Sequence, residues 1–148
     1  MANVIEIAKA AVTAYNEKDW NKTRDMLAAD AVYDEKATNR RLEGAGQIID
    51  AFQGWASAFP DSKATFIREF ASGDTAVLEL VWKGVHTGPL QTPTGAIPAS
   101  NKSIELAACE VFRVEGEKIK SSSHYFDMLT LLKQIGAMEG AAPAKSAA

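Results

Sequence analysis

Residues 75–87 read TAVLELVWKGVHT. In an extended chain successive side chains point to opposite faces of a sheet, so this stretch predicts one long strand. Both faces of the strand are partly apolar, which indicates that neither lies fully in water. The first face carries Ala76, Leu78, Leu80, Trp82, Gly84 and His86, and the second carries Val77, Glu79, Val81, Lys83 and Val85.

Further strands are predicted on both sides of this one. Residues 65–70 alternate in polarity and are joined to it by the turn Ser72-Gly73-Asp74. Residues 103–114 and 118–126 form a second strand pair around a Glu-Gly-Glu turn. The segment between the two pairs, residues 88–100, predicts a long loop, because a central strand does not accept its residues Pro89, Pro93, Gly95 and Pro98.

The N-terminal third of the chain has the spacing of helices. Apolar residues recur at helical intervals from Val4 to Tyr15, and Asp19 is placed to cap a second, short helix. A short strand over residues 31–33 and a third helix over residues 48–59 follow, and a final helical turn or two is predicted over residues 128–135. Helices first and strands afterwards predict an α+β fold, an antiparallel sheet with helices packed on one side.

The chain has 148 residues, enough for one hydrophobic core, and we expect a single domain over residues 1–136 with a flexible tail over residues 137–148. Its composition, 47% hydrophobic and 24% charged, is typical of a soluble globular protein. The net charge is only -3 and the basic residues are scattered, which argues against a nucleic-acid partner. No stretch resembles a signal peptide or membrane span, so we expect a cytoplasmic protein without a membrane partner.

Some classes of chemistry lack their usual sequence patterns. No cluster of His, Cys, Asp and Glu has metal-ligand spacing, and neither a serine nucleophile elbow nor a glycine-rich phosphate loop is found. The one cysteine, Cys109, has apolar neighbours and predicts a small buried thiol. We therefore expect neither a metal nor another cofactor.

Three motifs in the second half of the chain carry a family resemblance. They are GVHTGPL at residues 84–90 with PTG at residues 93–95, FPD at residues 59–61, and a C-terminal group. The C-terminal group consists of EVFRV at residues 110–114 and DML at residues 127–129 followed by LLKQIG. Together they resemble the SnoaL-like polyketide cyclases, also called ester cyclases.

The resemblance implies an NTF2-like cone, in which a curved antiparallel sheet packs against the N-terminal helices and encloses a pocket. It also implies aldol ring closure on a polyketide ester without metal or cofactor. The acid/base of that reaction is an aspartate that takes a proton from carbon and returns it to oxygen; by motif position it resembles Asp127. The histidine that assists it in the family has Arg113 as its nearest equivalent by spacing.

The residues themselves leave two interpretations of Asp127 open. It directly precedes a helix and is placed to cap it, which would lower the pKa of its carboxyl group. Alternatively it lies in an apolar pocket as the acid/base, and desolvation would then raise that pKa.

Other candidates depend on which face of a strand points inward. Tyr125 shares the face of Asp127 and is, with His86 and Arg113, a candidate to stabilise an enolate, whereas His124 should face away from Tyr125 and Asp127. His86 shares the face of Trp82 and is a candidate at the pocket mouth, beside the proline-containing loop. Arg113 and Glu110 fall on opposite faces, so an inward Glu110 would be a second candidate acid or base. The candidate substrate-binding aromatics are Trp82, Tyr33, Trp55 and Tyr15.

The leading hypothesis is therefore a cofactor-independent cyclase or isomerase that acts next to a carbonyl of a small hydrophobic molecule. A non-catalytic binding protein that uses the same cone is the main alternative. Epoxide opening is a third, and would need Asp127, Arg113 and Glu110 to converge on one water. We also expect a homodimer, because the outer face with Val77, Val81 and Val85 forms a contiguous apolar patch.

Overall fold

The computed structural model describes residues 3–138, which form four α-helices and eight strands. The helices are α1 (Val4–Asn16), α2 (Trp20–Met26), α3 (Ala45–Ala58) and α4 (Met128–Gln134). The strands are β1 (Leu27–Glu35), β2 (Arg40–Glu43), β3 (Lys63–Ser72), β4 (Thr75–Val85), β5 (Leu90–Thr92), β6 (Gly95–Ile97), β7 (Ser103–Glu115) and β8 (Lys118–Phe126). The predicted tail comprises residues 137–148, and its part after Met138 lies outside the described residues.

Six of the strands form one curved sheet in the order β2-β1-β8-β7-β4-β3. Neighbours pair antiparallel except β1 and β8, which run parallel. The α+β prediction is confirmed, but the sheet is mixed because the chain crosses from β2 at one edge to β3 at the other and returns through β8 to lie parallel to β1. Residues 88–100 are not one plain loop, since β5 and β6 form a separate short hairpin within them.

The inner face of the sheet is the one predicted from residues 75–87. Ala76, Leu78 and Leu80 are fully buried and pack with Ile7 and Val12 of α1. Helix α1 begins where Asn3 accepts a hydrogen bond from the backbone N–H of Glu6, and it lays its apolar side across β3 and β4. Burial of this face fixes which side chains of β4 and β7 point inward.

Helix α3 covers the other half of the sheet and packs against β1. Its buried residue Ile48 packs with Ala31 and Tyr33 of β1. At its C-terminal end Gly88 approaches so closely that a Cβ there would lie 2.0 Å from the carbonyl oxygen of Ser57. Only glycine permits this approach, which holds the chain after β4 against the end of α3.

The outer face of the sheet is only partly covered. Val77, Val81 and Val85 are half-buried, and Phe70, the register partner of Val77, is exposed. Cys109 also lies on this face and is half-buried. The prediction of a buried core thiol was therefore wrong, because its side chain points away from the core. Within residues 3–138 no helix combines the length and the apolar character that crossing a bilayer requires.

Candidate active-site cavity

A cavity of about 110 Å³ lies between the inner face of the sheet and the helices. Its size is close to the engineered cavity of about 150 Å³ that binds benzene. Its wall is mostly apolar, with a few polar side chains among the aliphatic and aromatic ones. The main wall residues are Val12, Tyr15, Tyr33, Ile48, Phe52, Trp55, Phe59, Trp82, Leu106, Phe112, Phe126 and Leu131.

Two glutamates and one histidine of the wall form a row across three neighbouring strands. In the register of the sheet, Glu35 of β1 is paired with His124 of β8, and His124 is paired with Glu110 of β7. All three are buried, and all three line the cavity. The sheet register thus brings two carboxyl groups and an imidazole to one place in an apolar wall.

Glu110 is the carboxyl group with the most altered proton affinity. Burial raises its pKa to about 8, the negative charge of Glu35 acts in the same direction, and a hydrogen bond with Ser122 opposes the shift. The ordinary value for a glutamate is 4.5. A pKa near neutrality suits a group that both accepts and returns a proton.

His124 stands beside Glu110, with its Nε2 atom 3.9 Å from Oε1 of Glu110. Burial lowers the pKa of His124 to about 4, although the charge of Glu35 opposes the shift, so the ring is neutral at neutral pH. The indole N–H of Trp82 donates to Nε2 at 3.2 Å, and Nδ1 lies 2.8 Å from the hydroxyl oxygen of Tyr33. The ring is thereby held at both nitrogens.

Glu35 is fully buried, and its carboxylate is surrounded by donors. Arg40 donates to Oε1 from Nη2 at 2.9 Å and from Nε at 3.2 Å, and Thr38 donates to the same oxygen at 2.5 Å. The indole N–H of Trp55 donates to Oε2 at 2.8 Å. This carboxylate is paired and hydrogen-bonded on both oxygens, as a buried charge must be to be tolerated.

The four predicted substrate-binding aromatics all lie in the cavity wall. Tyr15 and Trp82 meet edge to face with ring centroids 5.3 Å apart, and the Tyr15 hydroxyl lies 2.7 Å from Oγ of Ser62. Burial raises the pKa of Tyr15 to about 12 and that of Tyr33 well above its ordinary value, so both hydroxyls keep their protons. That these residues contact a substrate stays a prediction.

Asp127 is not in the cavity. It is exposed and is the N-cap of α4, accepting hydrogen bonds from the backbone N–H of Leu129 at 3.0 Å and from the hydroxyl of Thr130 at 2.7 Å. The hydrogen bonds with Thr130 lower its pKa, which is the shift expected of a cap and the opposite of that expected of a buried base. The structure therefore corrects the assignment of Asp127 as the acid/base.

Tyr125 and Arg113 also point away from the cavity. Tyr125 is 48% exposed, and Arg113 is exposed and bonded to Asp74 and Glu115. Both lie on the outer side of their strands, because the neighbouring residues Phe112 and His124 point inward. The geometry needed for epoxide opening, with Asp127, Arg113 and Glu110 around one water, does not form.

His86 is buried but does not line the cavity. Its ring stacks on Phe59 with centroids 5.1 Å apart, and its Nδ1 atom is bonded to Ser100. Burial lowers its pKa, and an interaction with the backbone of Gly88 opposes the shift. Its position fits a role in packing the chain around β5 and β6 rather than the predicted place at the pocket mouth.

The sequence reasoning missed His124 and Glu35. The parity argument was right that His124 and Asp127 face opposite sides, but it assigned the inward side to Asp127. The signal for the correct side was that Glu110 shares its strand face with the apolar residues Leu106, Ala108 and Phe112. This identifies the inner face of β7 and, through the β7–β8 pairing, that of β8. Glu35 was missed because the predicted strand ended at Tyr33, two residues before it.

A metal site needs several donor side chains close together. Across the part of the chain that the structure describes, residues 3–138, no three side chains of His, Cys, Asp or Glu come together as metal ligands would. The wall residues offer aromatic faces, hydroxyls, two carboxyl groups and one imidazole. Such a set can bind a small molecule and move a proton.

Comparison with solved structures identifies the class of fold. A protein with a ketosteroid isomerase-like fold from Catenulispora acidiphila, solved with trimethylamine, is 23% identical, with a TM-score of 0.75 over 88% of this chain and 92% of that one. IdmH from Streptomyces antibioticus, a proposed polyketide cyclase, is 21% identical, with a TM-score of 0.78 over 91% and 99%. TsrD from Streptomyces laurentii is 26% identical, with a TM-score of 0.74 over 89% and 93%. The chain has the ketosteroid isomerase-like, or NTF2-like, fold, as predicted.

The family follows from the sequence model that matches the chain. Residues 5–135 match the SnoaL-like polyketide cyclases, and the chain belongs to that family. No protein with a curated description matches the sequence. Family and fold together support a role of the cyclase or isomerase type.

Proposed function

We propose that this protein catalyses proton transfer next to a carbonyl group of a small apolar substrate, with Glu110 as the acid/base. The observation that carries the proposal is the burial of the Glu110 carboxyl group in an apolar cavity, which raises its pKa to about 8. An ordinary glutamate carboxylate is a weak base at neutral pH. Desolvation makes Glu110 a stronger one.

The proposed reaction begins with Glu110 in its carboxylate form. The carboxylate takes a proton from the carbon next to the substrate carbonyl, and the electron pair of that C–H bond forms an enolate. In a cyclisation the enolate carbon attacks a second carbonyl of the same molecule, and Glu110 returns the proton to the alkoxide oxygen. In an isomerisation the proton returns to a different carbon, so in both cases Glu110 ends as it began.

The surroundings of Glu110 support this role. The hydroxyl of Ser122 lies on the same wall and is hydrogen-bonded to Glu110, which holds the carboxyl group in place. The aromatic rings of Tyr15, Phe52 and Trp55 exclude water from the other sides of the cavity. A cavity of about 110 Å³ holds a single small ring, which limits the substrate to that size unless the wall opens.

The alternative is a non-catalytic binding protein, and the apolar character of the wall favours it. An apolar cavity of this size binds small hydrophobic molecules without any acid/base group. The two functions differ in one respect, since only an enzyme accelerates the loss of a proton from its ligand.

The test uses cyclohexanone as a probe that fits the cavity. Its binding is measured by titration, and exchange of the protons next to its carbonyl is followed by NMR in D₂O with and without the protein. We expect binding and an exchange rate that increases in proportion to protein concentration. Binding without any acceleration over buffer would contradict the enzyme and leave the binding protein.

We also propose that the protein is a homodimer formed through the outer face of the sheet. The half-buried Val77 and Val81 and the exposed Phe70 lie there, and Val111 of β7 is the register partner of Val77. An apolar surface of this kind is commonly covered by a second copy. The cavity opens on the other side of the sheet and is not obstructed by such a contact.

A further inference from the structure

The hydrogen bonds around His124 have a fixed direction at one end. The indole nitrogen of Trp82 carries a hydrogen and has no acceptor capacity, so it must donate to Nε2 of His124 at 3.2 Å. Nε2 therefore presents its lone pair and carries no proton. Because the ring is neutral, its single N–H is on Nδ1.

The direction is fixed at the other end as well. The carboxylate of Glu35 can only accept, so the Tyr33 hydroxyl, 3.4 Å from Oε2, donates to it. The oxygen of Tyr33 is then free to accept from Nδ1–H of His124 at 2.8 Å. Three hydrogen bonds run in one direction, from Trp82 through His124 and Tyr33 to Glu35.

We propose that Trp82, Tyr33 and Glu35 are positioning residues that together hold His124 in the Nδ1–H tautomer, which leaves Nε2, 3.9 Å from Oε1 of Glu110, without a proton. This deepens the proposed function and rests on it for its catalytic meaning. The tautomer itself follows from the hydrogen-bond directions alone. Arg40, Thr38 and Trp55 fix the far end by holding the carboxylate of Glu35 in place.

The tautomer matters for the proton affinity of Glu110. In the opposite tautomer a proton on Nε2, 3.9 Å from Oε1 of Glu110, would place partial positive charge beside the carboxylate and stabilise its ionised form. The three hydrogen bonds from Trp82 to Glu35 keep the proton off Nε2. The carboxylate of Glu110 therefore lacks that stabilisation and remains a strong base. Among residues 3–138, the ionisable groups around His124 are Tyr33 and Glu35 on β1 and Glu110 on β7, and Arg40 is the cation bonded to them, through Glu35.

The second histidine of the chain is an internal reference. Nδ1 of His86 accepts from the backbone N–H of Ser100 at 3.2 Å, so the proton of its neutral ring is on Nε2. The sequence contains two histidines only, and the structure gives them opposite tautomers. A spectrum of the ring nitrogens thus contains both states side by side.

The first measurement is a long-range ¹H–¹⁵N correlation spectrum of the whole protein labelled with ¹⁵N-histidine, recorded at neutral pH without ligand. The variant His86→Gln assigns the signals. We expect His124 to show a protonated Nδ1 and an unprotonated Nε2, and His86 the reverse. A His124 signal with a protonated Nε2, or with averaged shifts for both nitrogens, would overturn the proposal.

The second measurement compares Tyr33→Phe with Tyr15→Phe. Both remove one buried hydroxyl from a cavity tyrosine, but that of Tyr15 is bonded to Ser62 and not to His124. We expect Tyr33→Phe to shift His124 toward a mixture of tautomers and Tyr15→Phe to leave the tautomer unchanged. Equal spectra for the two variants would show that Tyr33 does not position the ring. Because no substrate is used, this result is independent of whether Glu110 catalyses proton transfer.

Discussion

Glu110 and His124 face each other across the β7–β8 pair, with Oε1 and Nε2 3.9 Å apart in a mostly apolar wall. Burial shifts the two pKa values in opposite directions, to about 8 for the glutamate and to about 4 for the histidine. Between those values both groups are neutral. The cavity wall therefore holds Glu110 and His124 side by side in their uncharged forms, which avoids the desolvation cost of a buried ion pair.

The raised pKa of Glu110 makes stability depend on pH. Its folded-state pKa, about 8, lies above its ordinary value of 4.5, so the unfolded chain ionises first and stability falls as pH rises toward 8. The lowered pKa of His124 also contributes near pH 6.5, where the unfolded histidine is still partly protonated, but this contribution is common to both proteins and cancels in their comparison. We expect the wild type to lose about 1–2 kcal/mol between pH 6.5 and about 8 relative to Glu110→Gln.

Urea unfolding at several pH values in this window measures that difference. The Gln side chain is uncharged at every pH, so the variant shows the pH dependence that all the other groups of the protein contribute. Parallel stability curves for the two proteins would mean that the pKa of Glu110 is not raised in the folded state.

Asp127 should behave as a helix cap. Asparagine accepts the backbone N–H of Leu129 about as well as aspartate does, whereas alanine accepts nothing. We expect Asp127→Ala to lower the Tm by a few degrees and Asp127→Asn to lower it much less, as measured by circular dichroism. An Asn variant as unstable as the Ala variant would contradict the capping role.

The outer face should control the oligomeric state. Phe70 is 59% exposed at the register position next to Val77, so a negative charge there would be buried without a partner in a dimer. We expect twice the chain mass of 15.9 kDa for the wild type in sedimentation at micromolar concentration, and the monomer mass for Phe70→Glu. Replacing the exposed Lys102, which lies on a loop, by Glu is the control and should leave the mass unchanged. A wild type that sediments as a monomer would contradict the dimer.

The order of elements and the inner face of β4 followed from local patterns in the sequence. Alternation over residues 75–87 is a local property, and burial of Leu78 and Leu80 against α1 agrees with it. The parallel pairing of β1 with β8 has no local signal, because it joins residues about 90 positions apart. Without that pairing, Glu35 and His124 could not be recognised as neighbours.

The site was harder to predict than the fold for a related reason. A motif position favoured Asp127, and only the direction of the side chains in β8 shows that the neighbouring face, with Ser122 and His124, is the inner one. Glu110 was recognised as an alternative because its strand has a clear apolar face. Its altered pKa depends on burial by helices distant in sequence, which no local pattern reveals.

The pH dependence of catalysis should follow Glu110. Since the carboxylate form is the base, kcat/KM for proton exchange should rise with pH and level off above about 8. The measurement is the exchange rate of cyclohexanone between pH 6 and about 9, corrected for exchange in buffer. A rate that falls over this range would assign the base to another group or require the acid form of Glu110.

The most direct test replaces Glu110 by Gln and compares proton exchange of cyclohexanone with that of the wild type and of Asp127→Asn. The Gln side chain keeps the size of Glu110 but cannot accept the proton, so we expect the rate to fall by about 10²–10⁴-fold while probe affinity stays within a few-fold. Asp127→Asn should exchange at the wild-type rate, because Asp127 lies outside the cavity. A Glu110→Gln variant that keeps the wild-type rate, or an Asp127→Asn variant that loses it, would contradict Glu110 as the acid/base.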